Sequence, residues 1–336
     1  MDKIRVAING FGRIGRIAFR MMAKNENIEV IAINDLAPVD NLAHLLKYDS
    51  VHGRFDGTIK VEGDCIIVND KPIKVFSCAV PGGIDWGAMK IDVVVESTGF
   101  FTDKGNAMKH ITAGARKVII SAPAKAAPQD IKYVVLGIND DVIDRNDLII
   151  SNSSCTTNCV APMIKILDDN WGLEDGFIST VHSYTRDQNL IDAPHTDWRR
   201  GRAAAQSIVP TTTGAAKAVT RIFPHLEGKL GGFGIRVPVP DGSLTDLTCT
   251  LKRSVTVEEI NTAFRIAAEG PMKGILEYTE DPIVSVDILG NTHSAIFDAG
   301  LTAVLGEKNN LVKIVAWYDN ECGFATRLTE LIVKFA

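Results

Sequence analysis

The sequence predicts an α/β protein that begins with a doubly wound parallel sheet and continues as an α+β domain with a mixed, largely antiparallel sheet. In the first half, apolar strand-like runs alternate with helix-like segments, and a glycine-rich turn joins the first strand to the first helix. In the second half, strand-like runs at 243–251, 284–288 and 311–317 surround one helix-like segment at 257–268. Helices in the first half therefore connect parallel strands, whereas the second half forms most of its sheet from antiparallel strands.

Two domains are expected from the length, because 336 residues exceed what a single core usually fills. We place the first domain at 1–152 and the second at 153–319. A C-terminal helix over 320–336 has one apolar face, made by Leu328, Leu331, Ile332 and Phe335. That face needs a partner, and we expect it to complete the first domain.

The first glycine-rich turn indicates a dinucleotide site of the Rossmann type. The apolar run 4–9 leads directly into Gly10, Gly12 and Gly15, and a helix-like segment over 16–23 follows. In such a turn the first glycine permits the reversal of the chain, and the second lets a pyrophosphate approach the backbone. The third lets the helix pack closely on the strand, with the phosphate at the helix N-terminus.

An acidic residue at the end of the second strand favours NAD over NADP. The run 30–34 predicts this strand, and Asp35 follows it at about the spacing from Gly15 at which a carboxylate binds the adenosine ribose. A carboxylate there repels a 2′-phosphate. The alternative is that Asp35 only closes a turn before Pro38.

Two further apolar runs, 91–96 and 117–120, extend the predicted parallel sheet and end in small polar residues. Ligands of such sheets lie beyond the carboxyl ends of the strands, so Thr98, Gly99 and Ser121 are candidates to line the cofactor crevice. Turn and cap roles are the alternative for each of them. Between the second strand and these runs, the pattern over 58–68, broken by Asn69 and Asp70, predicts an inserted antiparallel hairpin.

A cysteine at a helix start is the main candidate for chemistry. Cys155 follows Ser153 and Ser154, both N-cap candidates, and precedes a helix-like stretch over 160–167. The unpaired N–H groups and the positive end of the helix dipole favour a thiolate there. Cys155 is otherwise a small buried apolar residue, which is the commoner role of a free cysteine.

His182, near the end of a predicted strand over 176–185, is the candidate base. If folding brings it to Cys155, it stabilises the thiolate as an imidazolium and then exchanges a proton with the substrate oxygen. The basic run 197–202, the threonines and glycine at 211–214 and the glycine-rich stretch 231–236 supply groups that bind phosphate. Alternatives are a solvated or subunit-interface face for the arginines and a plain loop for the glycines.

Composition excludes several classes of function. A net charge of −5 without a long basic block argues against nucleic-acid binding. No apolar stretch approaches the length that crosses a bilayer, and six cysteines without paired spacing predict free thiols rather than disulfides or a metal site. We expect a cytoplasmic protein that contacts no membrane.

Four motifs together resemble phosphorylating glyceraldehyde-3-phosphate dehydrogenases, nearly from end to end of the chain. They are Asn-Gly-Phe-Gly-Arg-Ile-Gly-Arg at 9–16, Ser-Ser-Cys-Thr-Thr-Asn at 153–158, His-Ser-Tyr-Thr at 182–185 and Trp-Tyr-Asp-Asn-Glu at 317–321. The resemblance implies that Cys155 attacks the aldehyde of glyceraldehyde 3-phosphate and that the thiohemiacetal gives hydride to NAD. Inorganic phosphate then cleaves the thioester to 1,3-bisphosphoglycerate, while His182 handles the proton.

The resemblance also implies the remaining site residues and a homotetramer. Cofactor contacts carry over to Gly10, Gly12, Arg13, Ile14, Asp35, Thr98, Gly99, Ser121 and Asn320, the last of which fixes the nicotinamide carboxamide. Phosphate contacts carry over to Ser154, Thr156, Thr185, Arg200, Thr213, Gly214 and Arg236. No metal is implied.

Three departures from the family pattern concern cofactor preference. The segment 78–81, Cys-Ala-Val-Pro, lacks an arginine near the adenosine; Ala193 replaces a leucine, and Arg186 replaces a small or amide residue. Pro194 and Asp35 still favour NAD. Competing hypotheses are an erythrose 4-phosphate dehydrogenase, a thiol-based redox sensor that binds NAD, and, less favoured, a cysteine hydrolase.

Overall fold

A computed structural model describes residues 2–127 and 129–336. Met1, where the predicted first domain begins, and Pro128 lie outside the described residues. The chain forms two compact units: unit 1 comprises the residues up to Ser153 together with Ala325–Ala336, and unit 2 is Ser154–Phe324. Within the described ranges, no helix combines the length and the apolar character that crossing a bilayer requires.

The predicted elements appear in the predicted order apart from the run 284–288, and α1 and α4 begin earlier than their apolar patterns indicate. The helices are α1 (Arg13–Met22), α2 (Val39–Lys47), α3 (Lys104–Thr112), α4 (Cys155–Trp171), α5 (Ala215–Ile222), α6 (Val257–Glu269) and α7 (Cys322–Phe335). The strands of unit 1 are β1 (Ile4–Asn9), β2 (Ile28–Asn34), β3 (Tyr48–Asp49), β4 (Gly53–Arg54), β5 (Ile59–Glu62), β6 (Cys65–Val68), β7 (Lys71–Phe76), β8 (Val93–Glu96), β9 (Lys117–Ile120), β10 (Lys132–Tyr133) and β11 (Ile149–Ser151). Those of unit 2 are β12 (Leu173–Ser183), β13 (Val209–Thr211), β14 (Leu230–Val237), β15 (Ser243–Val255), β16 (Leu276–Thr279), β17 (Ala295–Asp298), β18 (Ala303–Val304) and β19 (Asn309–Tyr318).

Unit 1 is a doubly wound sheet in the order β10-β11-β9-β8-β1-β2-β7-β6-β5. All pairs from β10 to β7 are parallel. The chain winds from β1 to β2 on one side and later continues at β8 on the other, so β1 lies where the strand order reverses. Open α/β sheets bind their ligands at this point, beyond the carboxyl ends of the strands. The predicted Rossmann-type fold of this part is confirmed.

The predicted antiparallel insertion is also confirmed, and it forms the edge of this sheet. β5 pairs with β6, and β6 pairs with β7, both antiparallel. Asn69 and Asp70 form the two-residue turn between β6 and β7, with φ angles of 49° and 63°. A turn of this kind requires positive φ at both positions, and Asn and Asp tolerate it better than most residues.

The end of α7 completes the core of unit 1. Leu328, Leu331, Ile332 and Phe335 are buried in the same apolar cluster as β1, α1 and β2. Their spacing places them on one face of the helix. The apolar face predicted from the sequence is therefore a core face, and it belongs to the unit in which we expected it.

Unit 2 has an eight-stranded mixed sheet in the order β13-β14-β12-β15-β19-β17-β16, with β18 beside β19. The β12–β14 and β16–β17 pairs are parallel and the other pairs are antiparallel. Helix α4 packs on this sheet against β12, β15 and β19. The prediction of a mixed, largely antiparallel sheet is confirmed.

Two local predictions for unit 2 are wrong. The alternating run Val284–Ile288 is not a strand: it is a turn in which the N–H of Asp287 donates to the carbonyl of Val284. Val284 and Val286 are exposed, so the alternation does not bury a face. The glycine-rich stretch 228–234 is not a plain loop, because most of it forms β14.

Glycines in β14 allow the close approach of this strand to β12. A Cβ at Gly231 would lie 2.6 Å from the ring of Phe177, and one at Gly232 would lie 2.6 Å from the carbonyl oxygen of Ile178. Glycine inside a strand often marks such an approach of another backbone or side chain. The sequence shows the glycines but not the neighbouring strand that requires them.

Candidate active site

The turn between β1 and α1 has the geometry that a dinucleotide phosphate requires. Gly10 has φ +95°, and a Cβ there would lie 2.6 Å from the backbone nitrogen of Thr98. A Cβ on Gly15 would overlap the carbonyl oxygen of Gly10, so this position must lack one for α1 to pack on the turn. Gly12 is the N-cap of α1, and a Cβ there would meet no atom within 4 Å. Space and unpaired N–H groups therefore coincide at the start of α1.

Asp35 lies directly after β2, in the same turn region as Gly10. Its Oδ2 accepts a hydrogen bond of 2.8 Å from the N–H of Phe11, and its Oδ1 accepts one of 3.0 Å from the N–H of Ala37. A carboxylate oxygen has a second lone pair. The two backbone groups therefore hold the carboxylate in place and leave acceptor capacity for the hydroxyls of a ribose. The turn role and the ribose role of Asp35 are compatible.

The remaining predicted cofactor residues of unit 1 lie near the carboxyl ends of β1, β8 and β9. The side chain of Arg13 has another partner. Thr98 and Gly99 follow β8, and Ser121 follows β9, where its Oγ donates to the carbonyl of Glu96 at 3.2 Å. Arg13 and Ile14 form the first turn of α1. The guanidinium of Arg13, however, binds both carboxylate oxygens of Asp49.

The start of α4 presents Cys155 as the first helical residue. Ser154 is the N-cap, and its side chain accepts a hydrogen bond of 3.1 Å from the N–H of Thr157. The helix begins five residues before the apolar stretch that indicates it in the sequence. Cys155 therefore lies beside the unpaired N–H groups of the first turn, as its position after two serines predicts.

His182, the second-to-last residue of β12, lies next to this cysteine. The Sγ of Cys155 is 3.4 Å from the Nε2 of His182. The Nδ1 of His182 lies 2.8 Å from the carbonyl oxygen of Ser183, and the guanidinium of Arg236 contacts both of these atoms. β12 and β14 are parallel neighbours in which His182 and Arg236 are register partners. The pairing of these strands therefore places a guanidinium beside the imidazole.

The protonation states differ from the ion pair that the sequence predicts. Burial raises the pKa of the Cys155 thiol, and the charge of Arg236 and the N–H of Thr156 offset this only in part. Burial and Arg236 together lower the pKa of His182 to about 3. The surroundings of the pair therefore favour a thiol beside a neutral imidazole over the imidazolium and thiolate that the sequence predicts.

Asn320 is held by two hydroxyl groups. Its Oδ1 accepts hydrogen bonds from the Oγ of Ser183 at 2.9 Å and from the Oγ of Ser243 at 2.6 Å. The Oγ of Ser243 in turn accepts from the N–H of Ser183. This chain of bonds fixes which end of the side-chain amide is the oxygen and directs its NH₂ group away from the serines. The amide is therefore oriented as a donor.

Some of the predicted phosphate-binding residues belong to one hydrogen-bonded cluster around Arg200. The guanidinium of Arg200 donates to Thr211 at 2.9 Å and to the carboxylate of Asp187 at 2.6 Å. Thr185 donates its hydroxyl to the same carboxylate. Burial raises the pKa of Asp187, but Thr185, Arg236 and Arg200 outweigh it and lower this pKa. Three predicted phosphate ligands, Thr185, Arg200 and Arg236, thus surround a carboxylate that was not predicted from the sequence.

Thr213 and Gly214 lie at the start of α5, apart from these hydrogen bonds. The Oγ1 of Thr213 accepts from the N–H of Ala215 at 3.2 Å, and Gly214 is the N-cap. A Cβ on Gly214 would meet no atom within 4 Å. The arrangement provides a helix N-terminus with room for an anion, as the prediction for these residues requires.

Tyr318 is a site residue that the sequence analysis missed. Its hydroxyl lies 2.9 Å from the Oγ1 of Thr156 and 2.8 Å from that of Thr180, and its ring meets the His182 ring edge to face. Tyr318 is the last residue of β19, and it stands beside Asn320 in a motif that was already recognised. Only its contacts show that it joins α4 to β12 below the reactive pair.

Comparison with known proteins identifies the family. A model of the glyceraldehyde 3-phosphate dehydrogenase NAD binding domain matches residues 4–104, and a model of the C-terminal domain of the same enzymes matches residues 154–320. The chain belongs to the glyceraldehyde-3-phosphate dehydrogenase family. It is 52% identical to the enzyme of Priestia megaterium, 53% to that of Geobacillus stearothermophilus and 54% to that of Streptomyces coelicolor. These alignments cover 98–99% of the chain and 97–98% of each relative.

Membership of the glyceraldehyde-3-phosphate dehydrogenase family makes the chain an NAD-dependent oxidoreductase. The geometry of unit 1 fits this cofactor, because the open position at Gly12 and the fixed carboxylate of Asp35 suit its pyrophosphate and its ribose. Near the same strand ends, Leu36, Val80 and Phe100 are exposed apolar side chains. They suit the flat apolar surface of an adenine, and only their exposure singles them out.

Proposed function

We propose that this protein oxidises glyceraldehyde 3-phosphate with NAD and inorganic phosphate to 1,3-bisphosphoglycerate, the glycolytic reaction of its family. The observation that supports this most directly is the distance of 3.4 Å between the Sγ of Cys155 and the Nε2 of His182 at the start of α4. A nucleophile and a base at this distance form a covalent intermediate and move its proton. The names of the relatives supply the substrate.

The first step is the attack of the Cys155 sulfur on the aldehyde carbon. The new C–S bond forms while the thiol proton moves to the imidazole, and protonation of the oxygen completes a thiohemiacetal. Since the resting thiol has a raised pKa, this attack depends on the base. The N–H groups at the start of α4, including that of Cys155, stabilise the negative oxygen as it forms.

His182 holds the proton in each step. The Nδ1 of His182 lies 2.8 Å from the carbonyl oxygen of Ser183 and also contacts the guanidinium of Arg236, which can only donate. To take the thiol proton on Nε2, His182 must carry its own proton on Nδ1 and donate it to Ser183, while Arg236 donates to the substrate phosphate instead. When hydride leaves the thiohemiacetal carbon, the same nitrogen takes the hydroxyl proton, and a thioester remains on Cys155. Attack by inorganic phosphate on that thioester breaks the C–S bond and returns the thiol.

NAD, when bound, accepts the hydride at its nicotinamide ring. We assign Gly10, Gly12 and the first turn of α1 to its pyrophosphate, and Asp35 to its ribose. Thr98, Gly99 and Ser121 line the crevice beside them. Asn320, whose NH₂ group is directed by Ser183 and Ser243, holds the carboxamide of the nicotinamide and so selects the ring face.

The phosphate groups of substrate and product are assigned to the cluster around Arg200 and to the starts of α4 and α5. Arginine and threonine side chains there offer planar donor pairs and hydroxyls that suit a phosphate. The residues are Ser154, Thr156, Thr185, Arg200, Thr213, Gly214 and Arg236. Asp187, which binds Thr185 and Arg200, keeps both donors in place between turnovers.

The decisive test is NADH formation, followed by absorbance, with glyceraldehyde 3-phosphate and inorganic phosphate. Cys155→Ser should lose turnover on the order of a thousandfold or more, because a hydroxyl has no accessible anion at this site. It should still bind NAD. The matched control is Cys65→Ser. It makes the same change at a thiol of unit 1, the unit that does not contain Cys155, and it should leave turnover unchanged. Turnover retained by Cys155→Ser would rule out the mechanism.

Variation of the substrates separates the remaining hypotheses. Oxidation of erythrose 4-phosphate without a need for inorganic phosphate would indicate the related dehydrogenase. If the protein binds NAD but never reduces it, the hypothesis of a thiol-based redox sensor would be favoured instead. Equal catalytic efficiency with NADP would contradict the role of Asp35, which should give a clear preference for NAD.

We further propose a homotetramer in the cytoplasm. Unit 2 exposes Leu190, Ile191, Trp198 and Ile208 close together in the chain, and side chains of this size are seldom left in water in such number. Contact with another copy of the chain would cover them. All six cysteines, which lie within the described ranges, are free thiols, and this suits a reducing compartment.

A further inference from the structure

The last residues of three adjacent strands of unit 1 form a buried polar row. Asn9 ends β1, Asn34 ends β2 and Glu96 ends β8. Asn9 is the register partner of both Asn34 and Glu96. Each of the three side chains is at most 6% exposed. A row of this kind needs internal hydrogen bonds, because a buried polar group without a partner destabilises the fold.

The hydrogen bonds along this row have defined directions. The Nδ2 of Asn34 donates to the Oδ1 of Asn9 at 2.7 Å, and the Nδ2 of Asn9 donates to the Oε2 of Glu96. The other oxygen of Glu96, Oε1, accepts from the N–H of Thr98 at 2.9 Å and from the Thr98 hydroxyl. Asn34 continues the row to the backbone of Cys78 at 2.8 and 2.9 Å.

A tryptophan determines the direction of the last bond. The indole N–H of Trp86 can only donate, and it donates to the Nδ1 of His110 at 3.2 Å. His110 therefore carries its proton on Nε2, which lies 3.1 Å from the Oε2 of Glu96. Both Trp86 and His110 are 1% exposed. Glu96 is thus an acceptor in all four of these contacts, a role that a carboxylate fills and an amide does not.

Two members of the row directly precede a cofactor residue in the chain, and the third lies two residues before one. Gly10 follows Asn9, Asp35 follows Asn34, and Thr98, which Glu96 binds twice, follows Ser97. We propose that Glu96, supported by His110 and Trp86, is a positioning residue for NAD: it fixes the carboxyl ends of β1, β2 and β8 relative to one another. This inference rests on NAD binding by unit 1. It adds a specific requirement, that the strand ends be joined by an acceptor at this position.

Glu96→Gln tests the proposal with an isosteric change. One oxygen becomes an NH₂ group, which then faces the N–H of Thr98 on one side or Asn9 and His110 on the other. Two donors that face each other in a buried site cannot pair. We expect the dissociation constant for NAD and the KM for NAD to rise about tenfold or more. The kcat and the KM for the aldehyde should change less than twofold, since neither depends on these strand ends.

The matched control is Asn261→Asp, an isosteric change of the opposite kind in unit 2. The Nδ2 of Asn261 donates to the carbonyl of Ala299, and its Oδ1 accepts from Thr302. This change should lower thermal stability and leave the dissociation constant for NAD unchanged. If Glu96→Gln lowers stability in the same way without weakening NAD binding, the row is only structural and the proposal is overturned.

A second variant tests the direction of the bonds. Asn9→Asp alone sets two carboxylates against each other, whereas Asn9→Asp combined with Glu96→Gln restores a donor and an acceptor between these two positions. The double variant should lose less NAD affinity than the sum of the losses of the two single variants. Additive losses would overturn the proposal. Failure of the wild-type protein to bind NAD would instead contradict the proposed function itself.

Discussion

Cys155 has neighbours that act on its thiol in opposite directions. Burial raises its pKa, while Arg236 and the N–H of Thr156 lower it, and His182 lies at 3.4 Å to receive the proton. The position of Cys155 at a helix start predicts a thiolate, whereas its burial, the alternative open from the sequence, depends on side chains far along the chain. The residue therefore depends on its base more than its position at a helix end indicates.

Replacement of the base tests this dependence. His182→Asn should lower kcat by about a hundredfold to ten-thousandfold, because proton transfer to a positioned side chain contributes that much. The KM for NAD should stay within about twofold. His225→Asn, the same change at an exposed histidine of unit 2, is the control and should retain full activity. Steady-state rates at pH 7 measure both, and comparable rates for the two variants would contradict the role of His182.

At the scale of single elements, the glycines of the turn before α1 have two different roles: one leaves space for a ligand, and another allows close packing of the helix. Gly15 lacks a side chain because α1 packs on Gly10 there, whereas the space at Gly12 has no protein atom within 4 Å of a Cβ. The spacing in the sequence predicted both roles. The structure supports the distinction between them.

Alanine at each position should have a different effect. Gly12→Ala should leave the free energy of unfolding unchanged and raise the dissociation constant for NAD about tenfold or more, because the methyl group occupies the phosphate position. Gly15→Ala should lower the free energy of unfolding by about 1–3 kcal/mol through overpacking. Chemical denaturation and NAD titration measure the two effects. Equal losses of stability in both variants would show that Gly12 is a packing position too.

The ion pair between α1 and β3 predicts a dependence on pH. Burial alone raises the pKa of Asp49, but the N–H groups of His52 and Val51 and the charge of Arg13 lower it to about 2. The folded pKa lies below the ordinary value of 3.8, so the pair stabilises the protein above that value. This contribution is lost as the pH falls through about 2.

Asp49→Asn should accordingly lower the free energy of unfolding by about 1–2 kcal/mol at pH 7. The carboxylate of Asp49 is 2% exposed, so solvent screens it little. The difference between wild type and variant should shrink as the pH is lowered from 5 towards 2, because protonation removes the same charge from the wild type. Denaturation curves over this range provide the measurement, and a constant difference would assign the stability to packing instead.

At the scale of the whole molecule, the exposed apolar side chains of 190–208 support the proposed homotetramer. Trp198 is 88% exposed. In the proposed homotetramer, four chains of 36.4 kDa each bury these side chains against one another. The assembly therefore covers a surface that a single chain leaves in water.

Trp198→Glu should disrupt this assembly, because a buried carboxylate without a partner is strongly unfavourable. Light scattering after size exclusion should show a smaller particle than wild type. Ile266→Glu, a change at an exposed apolar residue of α6, is the control and should leave the mass unchanged. A wild-type mass of one chain would rule out the homotetramer.

Sequence periodicity was sufficient for most of the fold and insufficient at two positions. The apolar runs located β1, β2, β8 and β9, because a strand buried on both faces is apolar throughout. The run Val284–Ile288 has a strand pattern but lies in an exposed turn. The glycines of β14 match a loop until β12 is placed beside them. In both places, contacts distant in the chain decide between local alternatives.

The sequence by itself determined the order of the elements, the glycine turn, the acidic residue after β2 and the cysteine at a helix start. These follow from patterns a few residues long, whose chemistry is local. Only the tertiary structure brought His182 and Arg236 to Cys155, placed Tyr318 beneath them and joined Asn9, Asn34 and Glu96 into one row. It also decided the protonation of the reactive pair, because burial and charge at an atom depend on everything that surrounds it in space.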